Sequence, residues 1–207
     1  MQDQWLTAVK RIHALAETGR SFTKDHFDAE RYEEMVEITH KLMAALAGES
    51  PERIVDLVDD HTQGYVTPKV EVRGAVFHDD QLLLVKEKED GRWALPGGYC
   101  DVGLSARENI EKEIFEEAGL ETRATKLYSI RHKAKGEYDP DLRDFYKIFF
   151  LCEIVSNQLP KTGIETSEVA FFSQSDIPVL STERVIESDI KAAWRHYLTE
   201  DSGAYFD

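Results

Sequence analysis

Glu113, Glu116 and Glu117 put three carboxylates into five consecutive positions, with Lys112 as the neighbouring cation and Gly119 two residues beyond. On a helix, Glu113 and Glu117 form a like-charged i, i+4 pair. In water such a pair costs a few tenths of a kcal/mol, and more once it is partly desolvated. A divalent cation between the two carboxylates would reverse the sign of their interaction. All-oxygen donors of this kind suit Mg2+ or Mn2+ rather than zinc or copper.

The other reading is a solvated acidic face, which normally lies away from the apolar stripe and interleaves Lys or Arg at i+4. With residues 105–118 read as a helix and Ile110 set at zero, Ile114, Ala118 and Phe115 fall at about +40°, +80° and +140°. Glu117, Glu113 and Glu116 fall at about −20°, −60° and −120°, a single arc whose first member borders the core face. Gly97-Gly98, following Leu95-Pro96, gives a tight backbone path. With Gly103 it lets the chain double back so that main-chain carbonyls face the helix.

These residues need a scaffold. Residues 3–18 read as an amphipathic helix, with Trp5, Val9, Ile12 and Ala16 on one stripe and Gly19 at its end. A second helix is expected from about Asp28, as N-cap, to Ala47, with Met35, Ile38, Leu42 and Ala45 inward and Gly48 closing it. Ser50-Pro51 opens a short third one. The polar stretch 59–69, with Gly64 and Pro68, reads as a linker. The period then changes to two: residues 70–77 and 82–88 alternate as strands around Asp79-Asp80, and strands follow at 122–133, 144–155 and 167–172. The second of these later strands is apolar enough to be buried on both faces. Residues 182–197 read as a last helix, with Val185, Ile186, Ile190 and Trp194 inward.

The ordered combination resembles the signature of the Nudix hydrolases. Gly98 opens the box after Leu95-Pro96-Gly97, five residues follow, and Glu113, Ile114, Glu116, Glu117, Gly119 and Leu120 stand at the family's distances. Two positions depart from it: Leu104 replaces the first glutamate and Lys112 replaces the arginine. In the family that arginine steadies the neighbouring carboxylates; Lys keeps the charge but not the forked contact. The stretches 5–32, 68–99 and 145–154 extend the resemblance to the subgroup with a helical N-terminal unit, which hydrolyses nucleoside diphosphates linked to another moiety. Within it the bacterial CDP-choline pyrophosphatases are most similar.

The resemblance implies an α+β chain, a Nudix-type α/β/α sandwich with a mixed sheet (66–207) preceded by a small all-helical unit (1–65) for packing or dimerisation. It implies Mg2+ (or Mn2+) held by Glu113, Glu116, Glu117 and the Gly97 carbonyl. CDP-choline is the expected substrate; hydrolysis of ADP-ribose, trimming of RNA 3′ ends and weakly catalytic nucleotide binding are the alternatives. Gly98 would lie against the substrate, and the general base would come from Glu165, Glu168 or Glu117. Arg73, set among apolar strand residues, needs an anion, either substrate phosphate or a structural carboxylate. Tyr138 and Arg143 either meet the base or belong to an ordinary exposed loop. His13, His40 and His132 have no partner at catalytic spacing and are assigned to structure or surface.

The bulk numbers agree. The chain has 207 residues and a net charge of −15, which disfavours nucleic-acid and anionic-membrane adhesion as the main role. A polyanionic small substrate then needs a counter-cation. Cys100 and Cys152 make no disulfide framework or zinc spacing. The start lacks a signal-peptide apolar core and no stretch reaches membrane-span length, so a cytoplasmic protein is expected; that it is a homodimer is what the resemblance implies.

Overall fold

The computed structural model describes residues 4–58, 65–199 and 203–207. Residues 59–64, with Gly64, fall outside that range, so most of the expected linker does too. The chain forms two units, one comprising the N-terminal region to Lys69 together with Pro140–Asp144, the other Val70–Asp139 and Phe145–Asp207.

The first unit is helical: α1 (Gln4–Phe22), α2 (His26–Ala47) and α3 (Pro51–Val58). Gly19 does not end α1. A Cβ there would stand 2.5 Å from the Tyr32 ring, so this glycine lets α1 and α2 approach closely while the helix continues to Phe22. The N-cap of α2 is Asp25, which accepts from the Asp28 N–H, and Gly48 closes the helix in the left-handed region at φ 68°. The buried faces are also not the expected ones. Leu6, Val9, Lys10, His13 and Ala16 of α1 and Val36, Thr39, His40, Met43 and Ala44 of α2 are buried, whereas Trp5, Ile12, Met35, Ile38 and Leu42 are exposed. Both helices are apolar on two sides, and periodicity alone does not say which side closes the hairpin. Lys10, buried here, donates to the carbonyls of Asp141 (3.1 Å) and Arg143 (2.8 Å) and pairs with Asp144 at 2.6 Å. Leu142 joins the small core of Val9, Met43, Ala44 and Ile54.

The second unit is built on a mixed seven-stranded sheet. Its strands are β1 (Lys69–His78), β2 (Gln81–Glu87), β3 (Trp93–Ala94), β4 (Thr122–His132), β5 (Phe145–Ile154), β6 (Thr166–Phe172) and β7 (Tyr205–Phe206). The order is β3-β2-β1-β5-β4-β7, with β6 also on β2. Most pairs are antiparallel, while β7 runs parallel to β4. Asp79 and Asp80 turn β1 into β2 with positive φ at both positions. One face packs Val72, Val76, Leu83 and Val85 against Ile110, Ile114 and Ala118 of α4 (Ala106–Ala118). The other packs Ala75, Leu82, Leu84, Tyr128 and Phe149 against Ile190, Ala193 and Trp194 of α5 (Glu187–Leu198). This is the expected α/β/α arrangement. The last helix begins later than expected, because Asp189 Oδ2 accepts from the Ile186 N–H at 3.0 Å and sets the start there. Val185 and Ile186 are nevertheless buried.

Candidate active site

The frame of the site is α4. Ser105 caps it by accepting from the Glu108 N–H, while the Glu108 carboxylate accepts from the Ser105 N–H at 2.8 Å, a reciprocal capping box. Gly119, at φ 67°, ends it by donating to the Phe115 carbonyl. Gly74 lets this helix lie close on β1, since a Cβ there would come 2.7 Å from Ile114 Cδ1. Ile110, Ile114 and Ala118 form the buried face, whereas Phe115, expected at its far edge, is exposed.

The same rotation sends Glu117 inward. It is buried, and Gly97 donates its N–H to Glu117 Oε2 at 2.8 Å. Gly97 sits at φ 143° against β1, where a Cβ would stand 2.0 Å from the Val72 carbonyl, so no other residue fits there. One residue on, a Cβ at Gly98 would stand 3.0–3.2 Å from the Glu113 carboxylate. Gly97-Gly98 is therefore a cradle along which two carboxylates lie. The strand-like bonds Gly74 N–H to Pro96 O and Val72 N–H to Gly98 O hold that cradle to β1, each at 2.9 Å.

Glu116 points elsewhere. It is exposed and pairs with Lys112 at 3.0 Å; Lys112 also reaches Asp101 at 3.1 Å. Lys112 thus bridges the helix to the preceding loop. Leu104 lies exposed in that loop, whose ends Asn109 fastens: its carbonyl oxygen accepts from the Asp101 N–H at 2.8 Å and its amide donates to the Ser105 carbonyl at 3.0 Å.

Burial dominates the electrostatics. It pushes the Glu117 carboxyl up to about 8, against the pull of Arg73 and the Gly97 N–H and with the help of Glu87 and Glu113. Glu113 is raised too, by burial first and then by Glu116 and Glu165 against Lys112 and Arg73. Glu87, at the end of β2, is raised by burial and by Asp90 and Glu165 in spite of Arg184 and Arg73. Glu117 thus shares a poorly solvated region with Glu113 and Glu87, and the exposed Glu165 adds its negative charge to the latter two.

The remaining expected site residues are placed differently. Arg73 is buried and has a structural carboxylate as its anion: Nε donates to Glu71 Oε1 at 2.6 Å, Nη2 pairs with the same oxygen, and Nη1 donates to the Leu95 carbonyl. Lys147, fully buried on β5, pairs with Glu71 Oε2 at 2.7 Å. Tyr138 is not on an exposed loop; it is buried and donates its hydroxyl to Asp189 at 2.6 Å, so its ring is not presented to a nucleobase. Arg143 belongs to the helical unit, with its guanidinium on Asp141. Glu168 lies on β6 with its carboxylate on Lys86 at 2.6 Å, and its side chain is 57% exposed. Glu87 was missed because it belongs to a charge run at a strand end, a pattern that ordinarily marks a solvated turn.

The donor chemistry can be tested directly. Among the described residues no three His, Cys, Asp or Glu side chains gather as a ready metal site. What is present is a pair of carboxylate oxygen donors beside two glycines, where a Cβ at Gly98 would crowd Glu113 and where burial raises both carboxyls against the pull of Arg73. That set fits a hard divalent cation which completes its shell from water and substrate phosphates.

Comparisons with known proteins agree with this geometry. Residues 67–193 match the NUDIX domain, and residues 3–58 match the UDP-X-like, N-terminal oligomerisation domain. A provisionally named ADP-ribose pyrophosphatase of Bacillus subtilis (strain 168), YjhB, is 41% identical over 207 residues, covering 100% of this chain and 99% of that one. A solved UDP-X diphosphatase superposes over 100% of both chains with a TM-score of 0.64 at 29% identity. A solved ADP-ribose pyrophosphatase from Streptococcus suis 89-1591 covers 68% of this chain and 100% of its own, with a TM-score of 0.62 at 35% identity. The chain belongs to the Nudix family and is a hydrolase of pyrophosphate bonds. Its relatives place it beside the ADP-ribose pyrophosphatases and UDP-X diphosphatases, with the UDP-X-like helical domain in front.

Proposed function

We propose that the protein hydrolyses a nucleoside diphosphate linked to a second moiety, at the pyrophosphate, with Mg2+ or Mn2+ held by Glu113 and Glu117. The observation that carries this reading is the pair of half-buried and buried carboxylates along Gly97-Gly98, with no side-chain cation bonded to either among the described residues. The Gly98 carbonyl is engaged by Val72, which leaves Gly97 as the backbone oxygen for the ion. When bound, the ion supplies the positive charge that a diphosphate requires in a chain of net charge −15. Glu116 acts from outside this pair, holding Lys112 and through it the loop at Asp101.

Glu165, whose charge acts on both Glu113 and Glu87, is the better general base of the two candidates before and on β6. It takes the proton of the attacking water, while Glu168 stays on Lys86. ADP-ribose, giving AMP and ribose 5-phosphate, is the first candidate substrate, because the full-length relative carries that name. CDP-choline, giving CMP and phosphocholine, is the second, on the resemblance of the N-terminal region. The helical unit, divided from the catalytic region near residue 65, would pair two copies through its exposed apolar residues, among them Trp5, Ile12, Ile38 and Leu42.

The test is product analysis with Mg2+ or Mn2+ and a panel of ADP-ribose, CDP-choline, UDP-sugars, NADH and dinucleoside polyphosphates. A nucleoside monophosphate as product of at least one of the first three is expected. Hydrolysis of none of the panel would overturn the reading.

A further inference from the structure

A helix leaves its last carbonyls without partners inside the helix, and their position is set by whatever donates to them. In α4 those carbonyls belong to the turn that carries Glu116 and Glu117. The loop ahead of β6 folds back onto them: Lys161 donates its N–H to the Ala118 carbonyl at 2.8 Å, and Gly163 donates to the Glu117 carbonyl at 3.2 Å. Thr166, the first residue of β6, donates its hydroxyl to the same Glu117 carbonyl at 2.8 Å, and its Oγ1 accepts from the Gly163 N–H at 2.9 Å. Thr166 is 1% exposed, and its bond to the Glu117 carbonyl is buried. Gly163 lies so close that a Cβ there would stand 1.8 Å from the Glu116 carbonyl. Only glycine permits that approach.

We propose that Thr166 and Gly163 are positioning residues of the hydrolase: they lock the Glu117 peptide, and so set where the Glu117 carboxylate stands in the Gly97-Gly98 cradle. The inference rests on the reading of Glu117 as a metal-holding carboxylate. The hydroxyl of Thr166 joins three things at one point: the backbone of Glu117, the backbone of Gly163, and the start of the strand that follows Glu165. A shift of the helix end and a shift of the Glu165 loop are therefore not independent. Supporting groups behind metal ligands ordinarily change affinity or turnover by about 10- to 100-fold when removed. A bond to the ligand's backbone rather than to its carboxylate belongs at the low end of that range.

The experiment compares wild type with Thr166→Val, which keeps the shape and removes both hydroxyl bonds, Thr166→Ser, which restores them, and Glu117→Gln. Mn2+ binding is read directly from the electron paramagnetic resonance of the free ion, and kcat and KM are measured on the substrate found active. Thr166→Val is expected to weaken Mn2+ binding and lower kcat by about tenfold, with KM changed less than about twofold. Thr166→Ser is expected to recover most of both. Unchanged Mn2+ binding and kcat in Thr166→Val, or equal impairment in Thr166→Ser, overturns the inference while leaving the acidic site standing, provided Glu117→Gln is inactive. A fully active Glu117→Gln overturns both together. Gly163→Ala is the second arm: a folded protein with wild-type Mn2+ affinity would also count against the clasp.

Discussion

Two buried glutamates of the same unit, Glu71 and Glu117, are treated in opposite ways. Glu71 lies between Arg73 and Lys147, each of its oxygens bonded to a cation, and the two cations hold its carboxyl below the usual range although burial works against them. Glu117 is just as dry, yet its short-range partner among the described residues is a backbone N–H, and burial raises its carboxyl to about 8. Glu71 has two cations in bonding contact, whereas Arg73 acts on Glu117 only at longer range and does not offset its burial. Burial alone therefore does not distinguish a structural acid from a functional one. The role proposed for Glu117 rests instead on there being no cation bonded to it among the described residues.

The comparison can be broken most strongly at Glu117. Glu117→Gln keeps the shape and the Gly97 contact but removes the charge, so turnover should fall about a thousandfold or more, some 4 kcal/mol of lost transition-state stabilisation. Circular dichroism should show an intact fold. Lys147→Met probes the opposite case: it strips a cation from a fully buried pair, and denaturant unfolding should show a loss of roughly 3–5 kcal/mol. If Lys147→Met proved neutral and Glu117→Gln strongly destabilising, the contrast drawn here would be inverted.

A third test uses pH on metal-free protein. The Glu117 carboxyl is raised in the folded state from 4.5 to about 8. Between those values the folded chain holds a proton that the unfolded chain has lost, so stability should fall as pH rises through that window and level off above it. The drop should be on the order of 1–3 kcal/mol, read as a lower urea midpoint at pH 8 than at pH 5.5. Adding Mg2+ or Mn2+ should flatten the slope, and a slope that survives in Glu117→Gln would assign it to another group. The smallest effect belongs to Glu168→Gln. With its carboxylate on Lys86 and largely in solvent, the change should alter kcat by less than about twofold, against a clear loss for Glu165→Gln.

Helix α4 is legible in the sequence because its information is local. Ser105, Glu108 and Gly119 cap it within its own sequence, and the spacing of Ile110, Ile114 and Glu117 orients it on the sheet. What was not legible depends on partners far along the chain. Arg73 needs an anion by its own chemistry, but that the Glu71 beside it is also held by Lys147, 76 residues away, can only be seen once β1 and β5 are neighbours. Glu87 is hidden in a charge run, and Tyr138 in a polar loop that turns inward to Asp189. The N-terminal helices failed differently. Val9 and Ala16 are buried as expected, but with apolar residues on two sides the periodicity has two solutions, and Ile12, Ile38 and Leu42 lie on the face left exposed among the described residues.

The small segment Pro140–Asp144 bears on how this protein can be taken apart. Although it comes from the middle of the catalytic region, Leu142 completes the core of the helical unit and Lys10 grips its backbone. A single cut near residue 65 is thus no clean seam. A fragment starting there would carry five residues folded for a neighbour it no longer has, and a helical unit expressed alone would lack part of its own interior. Any chimera that exchanges the front helices between such hydrolases must move two pieces of sequence, not one.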